Sequence, residues 1–319
     1  MQPSHKYPSF TALIFAQFLS ALADNAILFI AIAILKNQQT AAWHIPLLQI
    51  MFVVPFILFV PFVGLYADSH PKRDVLILGN SIKLIGAILL LTNLSPLFSY
   101  GIIGFGAAIY APAKYGILTE LMPNSKLISA NSWLESSTII AILAGVIIGG
   151  HLADWSVHLG LFIIAGVYAS ATIINLAISR TTPRYPLQKT LAIVAIKNCF
   201  KSILILFKSA PARASLLGTS IFWGTGSAMR FLLVAWVPFT LGIHNNHTAA
   251  DLNGVIAIGI ILGAILAGRT IKLTNIKKIM PLGFAIGPLL LVMIFLHNLM
   301  AAGFIMILLG LCGGIWVIP

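Results

Sequence analysis

Residues 179–213 read SRTTPRYPLQKTLAIVAIKNCFKSILILFKSAPAR. Seven of these side chains are basic, namely Arg180, Arg184, Lys189, Lys197, Lys201, Lys208 and Arg213, and none is acidic. This is the one long connector in a chain otherwise built of apolar runs. Six runs precede it: Phe10–Leu35, Ile45–Tyr66, Val75–Asn93, Leu97–Leu118, Leu127–Leu152 and Val157–Ile178. Four follow it: Ala214–Leu241, Leu252–Ala267, Ile279–Leu296 and Met300–Pro319. A helix of about 20 apolar residues crosses a bilayer core of about 30 Å. The reading is an all-α membrane protein with about ten spans.

The composition excludes the alternatives. Of 319 residues, 59% are apolar and 8% are charged, against about 25% charged in an ordinary soluble domain. A water-soluble globule needs a more polar surface, and a disordered or collagen-like chain lacks long apolar runs. Outer-membrane barrels read as alternating segments of about ten residues, whereas these runs are continuous. The net charge of +12 would point to nucleic acid in a soluble protein; here its distribution decides instead, and no nucleic-acid partner is expected. Cys199 and Cys312 lie in very different segments and give no readable disulfide framework. The first run follows a short polar start, MQPSHKYPSF. It is longer than a signal h-region and lacks an A-x-A-like cleavage site, so it reads as an uncleaved helix.

Alternating the runs across a membrane sorts the basic residues. The side of the N-terminus receives Lys6, Lys72, Arg73, Lys126, the seven of the connector, Arg269, Lys272, Lys277 and Lys278; the other side receives only Lys36. The positive-inside rule then puts the N-terminus in the cytoplasm. Within the connector, Lys197, Lys201 and Lys208 share one helical face of an otherwise apolar stretch. That pattern fits an amphipathic helix on the anionic cytoplasmic leaflet or a solvated linker; a seventh span there would reverse the later topology. Six spans, a basic linker and further spans make the two-halved plan of many secondary transporters. The expected organisation is a six-helix bundle over 1–178, a linker over 179–213 and an incomplete bundle of about four helices over 214–319. The sequence ends inside or just after an apolar run with no polar tail, and a truncated second half is expected.

Charges at membrane depth are functional hypotheses by default. Asp24 is fifteenth in the first run and Arg230 seventeenth in the seventh. As pseudo-symmetry mates, these runs should hold the two charges at similar depth on opposite walls of a central cavity. A guanidinium suits phosphate through paired hydrogen bonds; a carboxylate suits an ammonium. The bland alternative is an ion pair locking the halves. Lys83, Lys114 and Glu135 form a second group. Lys114 follows Pro112, which frees backbone carbonyls. It is placed to meet a headgroup or to pair with Glu135 in a gate, unless it snorkels to the interface. Lys83 reads equally as snorkelling or as cavity lining.

Between the second and third runs stands Gly64-Leu-Tyr-Ala-Asp68-Ser-His-Pro-Lys72-Arg73-Asp74. Gly64 is expected to permit close helix approach, Asp68 to accept hydrogen bonds, and Lys72 and Arg73 to anchor on helix ends or lipid phosphate. The bland alternative is an ordinary polar turn. Gly145/Gly149 and Gly259/Gly263 read as packing seams, and Pro55 and Pro61 as kinks. No G-x-S-x-G, H-E-x-x-H or P-loop occurs. His151 and Asp154 stand too close for an H-x-x-x-x-D dyad, and His244 with His247 offers only two metal ligands. Neither a cofactor nor a catalytic set is expected.

The Gly64–Arg73 loop resembles the signature between helices 2 and 3 of the major facilitator superfamily. Ser69-His-Pro stands where many members have a basic residue and glycine. The chain is more closely similar to the bacterial lysophospholipid transporters of that superfamily. The stretches that carry this are Ala16-Gln-Phe-Leu-Ser-Ala-Leu-Ala-Asp-Asn25, Tyr110-Ala-Pro-Ala-Lys-Tyr-Gly-Ile-Leu118 and Arg230-Phe-Leu-Leu-Val-Ala-Trp-Val-Pro238, with Asn131 and Leu134-Glu-Ser-Ser-Thr138. The resemblance implies about twelve helices, of which the last two are absent. It implies a Gram-negative inner membrane and movement of lysophosphatidylethanolamine and lysophosphatidylglycerol from the outer to the inner leaflet. A cytoplasmic acyltransferase–acyl carrier protein synthetase would then reacylate the lipid. Asp24, Asn25, Lys114 and Arg230 become the expected substrate-binding residues; Gly64, Asp68, Lys72, Arg73 and Glu135 become the expected gate. An exporter of amphipathic drugs shares this architecture. A membrane-embedded lipid-modifying enzyme and a non-transporting membrane subunit are the alternatives from other classes.

Overall fold

The computed structural model describes residues 6–92, 94–123, 126–180, 182, 192–270 and 280–317. Arg184, Lys189, Lys272, Lys277 and Lys278, all counted in the charge asymmetry, lie outside the described residues. The described part forms twelve helices. Ten correspond to the ten apolar runs: α1 (Lys6–Asn37), α2 (His44–Ser69), α3 (Lys72–Leu91), α4 (Pro96–Gly116), α6 (Leu127–Trp155), α7 (Val157–Leu176), α9 (Ala210–Leu241), α10 (His247–Thr270), α11 (Met280–Met293) and α12 (Leu299–Val317). The other two are α5, a single turn (Leu118–Leu121), and α8 (Ala192–Lys208), which occupies the later part of the basic connector. Eight helices are long and apolar enough to cross a bilayer by themselves. The 14-residue α11 falls short of that, at about 21 Å for a rise of 1.5 Å per residue.

The chain divides into two compact units, Met1–Ile205 and Leu206–Pro319. In the first, α1 is the central post. It packs along α6 and α7, while α3 pairs with α4 and α7, and α2 pairs with α4. From Ala26 to Ala33 every side chain of α1 is buried. The outer face of α2 is the reverse, with Ile57, Leu58, Phe59 and Val60 exposed in succession. Four consecutive apolar side chains in the open suit hydrocarbon rather than water. In the second unit α12 packs against α10 and α11. The pairings repeat: second span with fourth and third with fourth in the first unit, and the same pairs in the second. An internal repeat of this kind is the plan of secondary transporters.

Glycines set the closest seams. A side chain at Gly145 would strike the Leu22 carbonyl of α1, and one at Gly149 the Ala26 carbonyl. Gly259 and Gly263 meet α12 in the same way. Gly64 behaves otherwise. A Cβ there would find no atom within 4 Å, so the expectation that it lets two helices approach is corrected. It faces open space on α2 and carries only the entropic cost of glycine in a helix. Gly64→Ala is therefore expected to stabilise the fold by about 0.5–1 kcal/mol. Gly145→Leu is expected to destabilise it by about 1–3 kcal/mol or more through overpacking. Thermal unfolding of the two variants in detergent checks the contrast. The helices α2 and α4 run unbroken through Pro55, Pro61 and Pro112, so none of these prolines ends its helix.

Candidate functional site

Three helices of the first unit converge on Asp24. The carboxylate sits on α1, whose neighbouring Ala21, Ala23 and Ala26 leave room for side chains from other helices. The Lys83 ammonium of α3 donates to Asp24 Oδ2 at 2.7 Å. The Tyr168 hydroxyl of α7 donates to Asp24 Oδ1 at 2.8 Å. Lys83 also donates to Ser20 Oγ at 2.9 Å, and Ser20 donates on to Asn80 Oδ1 at 2.7 Å. Both carboxylate oxygens are engaged. The Lys83 side chain is 2% exposed and that of Asp24 16%, so the carboxylate keeps a narrow opening while the ammonium has none.

This corrects the reading of Lys83. It neither snorkels nor lines an open cavity; it neutralises Asp24 inside the bundle. The reason is energetic: a lone charge in a low-dielectric interior costs several kcal/mol, and an opposite charge with supporting hydrogen bonds offsets that cost. The Lys83 ammonium also lies 4.9 Å from the centre of the Tyr110 ring of α4, a cation–π distance. Beside the pair, the Asn80 Nδ2 and the Tyr110 hydroxyl are buried and find no hydrogen-bond partner among the described residues. Such groups are costly, at about 1–3 kcal/mol each, and native cores keep few of them. Two of the nine such atoms among the described residues thus lie beside the charge pair.

Lys114, near the end of α4, is also buried, so snorkelling is excluded for it. Its ammonium stands 4.5 Å above the Tyr115 ring. Lys114 interacts electrostatically with Glu135 foremost and more weakly with Lys83 and Asp24. Asn25 donates to its own helix at the Ala21 carbonyl, 2.8 Å away, and stands beside Gly145 of α6. Gln17 adds a polar link across the same seam, donating to Thr138 Oγ1 at 3.2 Å. Arg230 lies on α9 in the second unit, half-buried.

The α2–α3 turn is a local clasp. Lys72, the first residue of α3, folds back to donate to Asp68 Oδ1 at 2.6 Å and to the Ala67 carbonyl at 2.7 Å. A cation on the last carbonyls of a helix is favourable. The Lys72 stem passes over Gly116 at the end of α4, where a Cβ would lie 3.0 Å from Lys72 Cε. Arg73 pairs with Asp74 at 3.1 Å, and Arg180 with the other Asp74 oxygen at 2.8 Å. Asp74 thus joins the start of α3 to the chain beyond α7, a contact that the sequence did not reveal. The Asp68 carboxylate is half exposed, so Asp68→Asn is expected to cost at most about 1 kcal/mol of stability. If the clasp works as a gate, the same variant changes transport rate out of proportion to that loss. Melting temperature and initial uptake rate measured together check it.

Tyr168 and the Asp24–Lys83 pairing were missed in the sequence. The available signal was that Asp24 and Lys83 both fall mid-run in odd-numbered runs, which cross the membrane in the same direction. Tyr168 looked like any aromatic in an apolar helix.

The family model described as Major Facilitator Superfamily matches residues 13–319. The protein named lysophospholipid transporter LplT of Enterobacter sp. (strain 638) is 45% identical over 304 residues, covering 95% of this chain and 77% of its own length. The protein of that name from Pectobacterium carotovorum subsp. carotovorum (strain PC1) is 42% identical over 311 residues, covering 98% and 76%. Among solved structures, a bacterial homologue of the human lysosomal transporter Spinster, inward-facing and unoccupied, superposes with a TM-score of 0.67 at 17% identity. That match covers 100% of this chain and 74% of the other. A POT family transporter in complex with 5-aminolevulinic acid gives a TM-score of 0.62 at 16% identity, covering 95% and 81%. At these identities the structural matches speak for the fold. With helices of membrane-spanning length and apolarity, and with relatives named as transporters, the chain is a multi-pass membrane protein that belongs to the Major Facilitator Superfamily.

Proposed function

We propose that the chain is a carrier for lysophospholipids, including lysophosphatidylethanolamine and lysophosphatidylglycerol. It moves them from the outer to the inner leaflet of a bacterial inner membrane, with its N-terminus in the cytoplasm. The relatives' name supports the substrate class. The observation that carries the reading is the buried Asp24–Lys83–Tyr168 centre, a charged set on helices that apolar packing alone would build without charges.

A lysolipid presents two problems. Its polar head needs a hydrophilic path, and its single acyl chain needs none. In this proposal Arg230 takes the phosphate, because a guanidinium offers two parallel donors to it. Asp24 is the group that an ammonium addresses. Its narrow opening supports this, and Lys83 supplies the counter-charge whenever no ammonium is there. A headgroup lacking an amine then meets a neutralised carboxylate rather than a bare one. Asn25 contributes from the α1–α6 seam. Lys114, with Tyr115 and Glu135, offers a cation for the phosphate on the cytoplasmic side. The Asp68–Lys72 clasp with Arg73, together with Glu135, acts as the gate. The acyl chain stays against apolar helix faces. The chain performs no covalent chemistry, and its product passes to a cytoplasmic acyltransferase–acyl carrier protein synthetase that restores the second acyl chain.

The test is selectivity with chemical identity. Proteoliposomes containing the chain are offered radiolabelled lysophosphatidylethanolamine or a cationic dye, and the recovered substrate is weighed by mass spectrometry. Uptake of the lysolipid at unchanged mass, with the dye excluded, is the expected result. Dye transport without lysolipid transport would make the chain a drug exporter, and a changed mass would make it an enzyme.

A further inference from the structure

The helix α8, Ala192–Lys208, takes no part in the polar centre or the clasp. It is the most strongly one-sided of the helices. At 100° per residue, Ile196, Phe200, Ile203 and Phe207 fall within one narrow apolar sector. Lys197, Lys201 and Lys208 fall together along one border of that sector, and Asn198 and Ser202 lie farther round, beyond Val194 and Ile205. The apolar side is in the open: Ile193 is 78% exposed, Leu204 64% and Phe200 62%. Ala195 is the one buried side chain among the described residues of α8, and no described helix packs along it to any extent.

Exposed apolar surface of this size has to be covered, and the charge says by what. From 179 to 213 the chain carries seven cations and no anion. Lysines at the border of an apolar face lay their stems on hydrocarbon and hold their ammonium groups at the headgroup level. The complementary surface is a sheet of phosphates over acyl chains. Two mid-helix lysines also argue against immersion of α8 as a span.

We propose that α8 lies in the plane of the cytoplasmic membrane surface. Its apolar face sits in the boundary between headgroups and acyl chains, and Lys197, Lys201 and Lys208 rest on anionic phospholipid. The assignment of the leaflet rests on the orientation proposed above.

The full chain carries a buried cysteine, Cys312, and one partly exposed on α8, Cys199. With both replaced by serine, a nitroxide is attached to Ile203→Cys or to Ser202→Cys. The protein is placed in vesicles of phosphatidylethanolamine with phosphatidylglycerol, or of phosphatidylcholine alone. Collision with oxygen reports lipid, and collision with a water-soluble nickel chelate reports water. In the anionic vesicles the Ile203 label is expected to favour oxygen and the Ser202 label the chelate. Lys197→Gln/Lys201→Gln/Lys208→Gln is expected to shrink that contrast at least threefold, as is phosphatidylcholine. The proposal is overturned if both labels are equally aqueous, as on a solvated linker, or both immersed, as on a span. It is also overturned if the contrast ignores both the lipid charge and the lysines, as under another protein. Lysolipid uptake by the same samples separates this outcome from failure of the carrier reading.

Discussion

Asp24→Ala is expected to abolish lysophospholipid uptake and to cost about 3–5 kcal/mol of stability, because it strands the Lys83 ammonium in a buried site. Among the described residues Lys83 has no other carboxylate as a hydrogen-bond partner; its second bond goes to the neutral Ser20 hydroxyl. Asp24→Asn keeps an acceptor for Tyr168 but removes the charge, and is expected to lose uptake with a smaller fall in melting temperature. The decisive variant is Asp24→Asn combined with Lys83→Met. Removing both partners of a buried pair is often neutral or stabilising, so melting is expected to return close to wild type while uptake stays absent. Uptake that returned with stability would make the pair a structural lock and nothing more. Thermal unfolding in detergent and initial rates in proteoliposomes separate the two outcomes.

Arg230→Ala is expected to abolish uptake with insertion into the membrane intact. The contribution at issue is a charge-assisted, two-pronged hydrogen bond to phosphate. A hydrogen bond to a charged group is worth about 1.5–3 kcal/mol, or roughly ten- to a hundredfold in affinity. Arg230→Lys keeps the charge and loses the fork. It is expected to raise the concentration for half-maximal uptake by about tenfold and to leave the maximal rate within a few-fold. Equal kinetics for arginine, lysine and alanine at this position would remove it from the site. Membrane-fraction blots control for insertion, and concentration series of both lysolipids supply the constants.

The spans were legible because lipid imposes a one-dimensional rule. Each helix that satisfies its own backbone in hydrocarbon must be an apolar run of a given length, and each of the ten runs from Phe10–Leu35 to Met300–Pro319 has its helix. The single-turn α5 escaped notice, because four residues carry no periodicity. Pairing between helices was not legible in the same way. That Lys83 meets Asp24 depends on which face of α3 turns toward α1, and α3 is apolar on more than one side. Lys83 and Lys114 therefore looked like candidates for snorkelling until their burial excluded it. Gly64 misled for a related reason: a glycine in a signature loop suggests contact, yet its Cβ position faces open space. The seams at Gly145 and Gly149 read correctly because a four-residue spacing of small residues already specifies a face. Asp74 went unassigned because Arg180, its partner, lies more than a hundred residues away in the chain.

Leaflet exchange reads out lysolipid movement by the chain itself. Fluorescent lysophosphatidylethanolamine is loaded into the outer leaflet of vesicles holding the purified chain, and albumin extracts at intervals whatever remains outside. A time-dependent loss of extractable lipid is expected with the wild-type chain, and none beyond protein-free vesicles with Asp24→Ala or Arg230→Ala. Extraction from wild-type vesicles that matched protein-free ones, or rapid loss that survived both substitutions, would contradict the carrier reading.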